Sequence, residues 1–308
     1  MTNLNTLTEL TAEQQTFYDR ALISRMFKSG LWRRFGQYRP ITGKGRTINF
    51  RKFESLPKAT TPLTEGVTPS GSKMVVSYVE ATLGQYGDFI SESDILIRSG
   101  IDPILVENAK VLGEQADETL DTITRDVVGN GTNVHYAGGG VTSDEVTAND
   151  KISSALIKQA VKILKKANAK PAVGEYFVCI VDPDTALDLQ NDEEWIKANQ
   201  YAGADNIIKG ALGKLHGCVF METNNTIVKA NASGVNVHST MFIGKDAYGV
   251  VDLKNSKTNK PRIIVKPVGS SGSADPLDQR GSQGWKADYA AVRLNELAML
   301  RLEHAVTE

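Results

Sequence analysis

A chain of 308 residues is long enough for one large domain or two of ordinary size. Hydrophobic residues at 41% and charged residues at 23% match a folded globular protein, and the longest apolar run, Tyr176–Val181, is far too short to span a membrane. The net charge of -1 conceals a basic start: residues 1–52 hold ten Lys/Arg against three Asp/Glu, which suggests a polyanion partner or an acidic surface on a neighbouring subunit.

The first ten residues lack the basic start and apolar centre of a secretory signal, so no membrane partner is expected. Phe17, Ala21, Leu22 and Met26 share one helical face within Thr11–Lys28, and Gly30 stops that helix. Gly36, Pro40, Gly43 and Gly45 keep the next stretch extended. It carries most of the positive charge, as Arg33, Arg34, Arg39, Lys44, Arg46 and Arg51.

Arg46–Leu56 and Met74–Leu83 are rich in β-branched and aromatic residues and read as two long strands. The tip between them, Pro57–Lys73, holds three prolines, two glycines and six hydroxyl residues. Alternation shifts from Ile48 and Phe50 to Phe53, and from Tyr78 to Val79, which implies a bulge or strong twist on both strands. A lone hairpin is marginal in water. One that reaches roughly 35 Å, at about 3.3 Å per residue, is expected to lie on another copy of the chain. Ile48, Phe50, Phe53, Tyr78 and Val79 are its candidate intersubunit residues, and assembly leads over catalysis.

Asp102 suits an N-cap and Pro103 the first helical position. From there Leu105, Ala109, Leu112, Ala116, Leu120, Ile123 and Val127 recur at three- and four-residue spacing, until Gly129-Asn-Gly131 ends the helix. Its polar face is acidic, and Glu114, Asp117, Glu118 and Asp121 form a candidate dock for the basic arm of a neighbour. The alternative partner for that arm is nucleic-acid phosphate.

Beyond Gly138–Gly140, a second amphipathic helix runs from Ile152 to Ala167. A buried strand follows at Tyr176–Val181, then a helix from Asp182-Pro183 through Leu189, a helical stretch at Trp195–Ala198, and strands at Leu215–Met221 and Thr240–Ile243. Strands between helices of this length indicate an α/β subdomain. Tyr248–Leu253 and Pro261–Val268 are further strands, whereas Gly281–His304 fits a helix by propensity and two strands by alternation.

Catalytic patterns do not emerge. His135, His216, His238 and His304 are scattered, no Walker-type loop or nucleophile elbow is present, and helix capping explains Asp182 and Asp184. No catalytic residue, metal ligand or cofactor is expected. Cys179 and Cys218 each sit in an apolar strand-like run and are expected as buried thiols.

The order of basic arm, long hairpin, long acidic helix and α/β subdomain resembles the major capsid protein family of tailed bacteriophages. Leu63-Thr-Glu-Gly66, Gly84-Gln-Tyr-Gly87, Phe242-Ile-Gly-Lys-Asp-Ala-Tyr-Gly249 and Asp275-Pro-Leu-Asp-Gln-Arg-Gly-Ser-Gln-Gly-Trp-Lys286 look like the branch typified by N4-like podoviruses. The resemblance implies an α+β, Hong-Kong-97-type (HK97-like) capsid fold. It implies an N-terminal arm over 1–45, an E-loop hairpin over 46–89, and a peripheral domain with a spine helix over 90–140. An axial domain would occupy 141–249 and peripheral strands 250–308, which turns the ambiguous tail toward strands. It further implies self-assembly through pentamers and hexamers into an icosahedral head. Partners would be other copies of the chain, a separate scaffold protein, a portal protein and packaged double-stranded DNA bound without sequence specificity. The virion is the implied location, with assembly in the host cytoplasm. Covalent cross-linking through Lys58 or Lys73 of the hairpin tip is not expected. The rival readings are an encapsulin-type nanocompartment shell and an α/β ligand-binding enzyme.

Overall fold

Two large β-sheets bridged by one long helix, with a separate two-stranded sheet, carry the described residues. The computed structural model describes residues 30–41, 45–54, 56–99, 104–201, 211–252, 261–270 and 275–307. The helix expected over Thr11–Lys28, the Asp102-Pro103 cap and Lys44 of the basic arm lie outside them. In chain order, α1 is Leu31–Arg34, β1 Gln37–Tyr38, β2 Thr47–Phe53, β3 Val76–Thr82, β4 Gly84–Ser93, α2 Asp94–Ser99, α3 Ile104–Gly129 and β5 Val134–Tyr136. Then come α4 Ser154–Lys166, β6 Phe177–Val181, α5 Pro183–Gln190, α6 Glu193–Tyr201, β7 Ala211–Leu215, β8 Cys218–Glu222 and β9 Ile227–Ala230. The chain closes with β10 Asn236–Ile243, β11 Tyr248–Asp252, β12 Arg262–Lys266, β13 Arg280–Arg293 and β14 Met299–His304.

The smaller sheet is built around β13, a 14-residue strand. Strand β4 runs antiparallel along one edge of it, while β12 and β11 share the other. Tertiary pairing thus decides the stretch that local propensity left open: two strands, β13 and β14, replace a helix. The spine helix α3, 26 residues long and about 39 Å at 1.5 Å per residue, lies across β13. Its three-and-four spacing puts Leu112 and Ala116 against Trp285, and Leu120 and Val128 in the cluster that holds Tyr289. The last turn leaves carbonyls without helical partners. Arg301 donates a side-chain hydrogen bond to Gly129 O, which satisfies one of them.

The larger sheet has the order β5-β14-β10-β6-β8-β7, with β9 also pairing β10. Every residue of β6 is buried, because both faces of the sheet are covered. Phe177, Cys179 and Val181 face α4, α5 and α6. Val178 and Ile180 face the other way, toward Trp32, Leu120 and Tyr248. Both cysteines are free and buried. Burial pushes the Cys218 thiol up to about 12 and the Cys179 thiol well above its ordinary value.

The last strand, β14, parts from β12 and β13: it pairs with β10 and β5 in the larger sheet, where Leu300 and Leu302 complete the helix-facing core. The β2–β3 ladder runs in unbroken register from Thr47↔Thr82 to Phe53↔Val76, so of the bulge or strong twist expected there the bulge is excluded. The chain leaves the hairpin after Thr82, and Gly84 already pairs with Tyr289 of β13.

Candidate assembly surfaces

An uninterrupted ladder gives the β2–β3 hairpin two distinct faces. Residues paired across an antiparallel ladder project to the same side. Ile48 pairs with Ala81 and Phe50 with Val79, so these four share one face; Arg51 pairs with Tyr78 and Phe53 with Val76 on the other. The first face is spent inside the subunit. Phe50 is 3% exposed and packs in a cluster with Ile41, Ala81, Leu83, Val251 and Ala290, flanked by Ile48 and Val79. The approach is close: a Cβ on Gly249 would lie 2.6 Å from Phe50 Cζ, so only glycine admits the ring there.

The second face has no such cover. Phe53 is 60% exposed and Tyr78 61%. Leu56, Leu63, Val67, Met74 and Val75 continue this apolar exposure through the tip. Of the five hairpin residues expected at a subunit contact, Ile48, Phe50 and Val79 therefore anchor the hairpin's root, while Phe53 and Tyr78 remain free to meet a neighbour. The alternation in the sequence distinguished the two faces without showing which was already used.

The basic arm also divides. From Gly30 onward it is tied to its own subunit. Gln37 and Tyr38 form an edge strand parallel to Gly249 and Val250. Trp32 is 1% exposed, and its ring Nε1 donates to Asn225 O at 2.7 Å. Its backbone N–H donates to Asp121 Oδ1 at 2.8 Å, and the Arg33 N–H donates to the same oxygen at 3.2 Å. Tyr248 donates its hydroxyl to the Trp32 carbonyl. The Arg33 guanidinium lies 2.9 Å from Asp117 Oδ1.

Asp117 and Asp121 are thus buried within their own chain and hold the chain's own arm, which corrects the expectation that they wait for a neighbour's. Burial raises the Asp121 carboxyl to about 6, against the hydrogen bonds from Asn225 and Arg33 that favour its charged form. Glu114 and Glu118 stay exposed on the same helix. Arg39 lies over the Phe50 ring, Arg51 over Tyr78, and Arg46 donates to Leu83 O. Arg34 is exposed, with its guanidinium over Phe35.

A family model described as phage capsid protein matches residues 77–302. The chain belongs to this family of phage capsid proteins. Solved structures agree on the fold. The capsid of Ralstonia phage GP4 superposes with a TM-score of 0.70 at 14% identity, covering 89% of this chain and 88% of that one. The cyanophage Pam1 capsid asymmetric unit gives 0.66 at 14% identity over 88% and 89%. A virus-like particle from Pyrococcus furiosus gives 0.53 at 12% identity over 92% and 96%. At such identities the likeness is one of fold, the HK97-like capsid fold. No curated protein sequence matches the chain significantly.

In this capsid protein the titratable groups of the α4–α6 layer serve the fold. Asp182 caps α5, accepting from Thr185 N at 3.2 Å, and also lies 2.8 Å from His238 Nδ1. Burial alone would raise Asp182, but the hydrogen bonds from His238 and Thr185 outweigh it and hold the carboxyl at about 2. Asp184 brings a third potential ligand atom within 4.8 Å of these two. Such a trio offers a metal few free lone pairs, because Asp182 is already engaged by cap and imidazole. His304 is buried between Thr240 and the Ala305 carbonyl, and burial lowers it to about 4. Sequence reasoning missed Trp32, Asn225 and Gly249. A lone tryptophan among arginines was the one available sign, since a large apolar ring in a basic segment needs a pocket.

Proposed function

We propose that the chain is the principal shell subunit of a tailed-phage head. Copies would assemble through pentamers and hexamers into a closed icosahedral capsid around double-stranded DNA. Family membership gives the coarser part: a structural protein of the virion that builds a homo-oligomeric shell. The observation that carries the finer reading is the hairpin. One face is locked to its own subunit through Phe50, and the other exposes Phe53, Tyr78 and the apolar tip.

Many modest contacts of this kind become hard to reverse together, because each subunit is held by several neighbours. A separate scaffold protein during assembly in the host cytoplasm, a portal protein and packaged DNA complete the set of partners. Division into arm, hairpin, peripheral and axial regions belongs to the same proposal. Electron microscopy of the purified full-length protein tests it. Closed shells of uniform diameter are expected, and small open oligomers under all assembly conditions refute the reading.

A further inference from the structure

A cleft of about 530 Å³ opens beside α4, lined by Lys158, Val161, Lys162, Lys165, Lys166 and His216. The four lysines are spaced by four, three and one residues, which places them on one face of the helix. They span about 12 Å along its axis. Val161 is buried, and the lysines are exposed. Like charges at these spacings repel on a helix, so a counter-charge brought to this face relieves the repulsion.

The subunit supplies only part of it. Glu194 lies 2.7 Å from Lys158 Nζ and 2.9 Å from His216 Nε2, so one carboxylate already has two partners. Lys162, Lys165 and Lys166 form no ion pair among the described residues. The helix dipole favours cations in the last turn, which accounts for Lys165 and Lys166 but not for continuation of the stripe back to Lys158.

The residue type narrows the partner. Lysine is depleted from protein–protein interfaces, and a carboxylate surface on a neighbour would be matched better by the arginine fork. Flexible ammonium groups act as point charges that suit phosphates without reading sequence. Duplex DNA carries a phosphate about every 3.4 Å along each strand, so a 12 Å stripe can meet about three. Among the described residues, each arginine of the arm already has a contact within the subunit: Arg33 with Asp117, Arg34 with the Phe35 ring, Arg39 with the Phe50 ring, Arg51 with Tyr78 and Arg46 with a carbonyl.

We propose that the lysine cleft on α4, and not the basic arm, is the surface at which this capsid protein neutralises nucleic-acid backbone phosphate. The proposal rests on the reading that the shell encloses DNA, and it names the contact. The test measures binding of a short random-sequence DNA duplex to the unassembled full-length chain, by fluorescence anisotropy, between about 50 and 200 mM salt. Each phosphate contact contributes about 0.9 to the slope of log K against log salt. K162Q/K165Q/K166Q should therefore lower the slope by about 2–3, K162R/K165R/K166R should retain it, and R34Q/R39Q should leave it unchanged.

An unchanged slope in the glutamine variant, or wild-type protein without salt-dependent binding, overturns the proposal. So does a glutamine variant that fails to form empty shells in DNA-free assembly, since the cleft then serves a neighbouring subunit. Wild-type shells seen by electron microscopy keep these outcomes separate from failure of the capsid reading itself.

Discussion

Exchanging the two aromatic faces of the hairpin separates folding from assembly. Phe50 is 3% exposed, so Phe50→Ser removes a core ring and adds a buried hydroxyl. That loss costs about 3–5 kcal/mol of subunit stability. It should shift the urea midpoint of the unassembled subunit by more than about 1 M for an m-value of about 2–3 kcal/mol/M. Phe53 and Tyr78 are 60% and 61% exposed. The double change Phe53→Ser, Tyr78→Ser should keep subunit stability within about 0.5 kcal/mol for each site, with a further loss of about 0.5–1 kcal/mol from the Arg51 contact to Tyr78. Its effect appears only on assembly. Covering the exposed part of both rings at a neighbour contributes about 2–4 kcal/mol per hairpin, equivalent to about 30- to 1000-fold in each association constant. Urea unfolding followed by fluorescence, beside light scattering of assembly mixtures, reads the two effects apart. Normal shell yield from the double variant, or an unshifted midpoint for Phe50→Ser, refutes the assignment of faces.

Two further outcomes follow from the buried groups. His304 should stay neutral down to about pH 4 and His238 should stay charged above its ordinary range, as read from carbon-detected NMR titration of the four histidines; four ordinary titrations would contradict both burial and pairing. Because the folded state depresses His304, its stabilising contribution is present above its unfolded value and is lost as pH falls toward about 4, a change of about 3 kcal/mol. A thiol-reactive dye should label neither Cys179 nor Cys218 in native particles, whereas rapid labelling of both would contradict their burial in β6 and β8.

The spine helix was legible in the sequence because its apolar spacing repeats over seven positions and an adjacent Gly-Asn-Gly stops it. Much of the helix-and-strand order between Ile152 and Ile243 was legible for the same reason, but His216-Gly217 turns the chain between β7 and β8 where one strand was expected. The tail was not, since Ala and Leu favour a helix locally while ten residues of pairing with β4 impose a strand. Nor could composition tell that Asp117 and Asp121 face inward while Glu114 and Glu118, on the same helix, face water. All four are acidic, and only the position of Trp32 and Arg33 separates them. Alternation in the hairpin picked out the apolar residues of both faces together, and the core share emerges only once Val251 and Ala290 close over Phe50.

The chain passes between its two large sheets repeatedly. It leaves β4 in the smaller sheet for β5 in the larger, returns from β10 to β11, and crosses again from β13 to β14. A load that pulls the sheets apart therefore acts on three stretches of covalent backbone in parallel and not on side-chain packing alone. Within a shell, a load on one region of a subunit is carried into the other by bonds that do not creep. The sheets should yield as one cooperative unit, with no intermediate in which one has opened and the other stands.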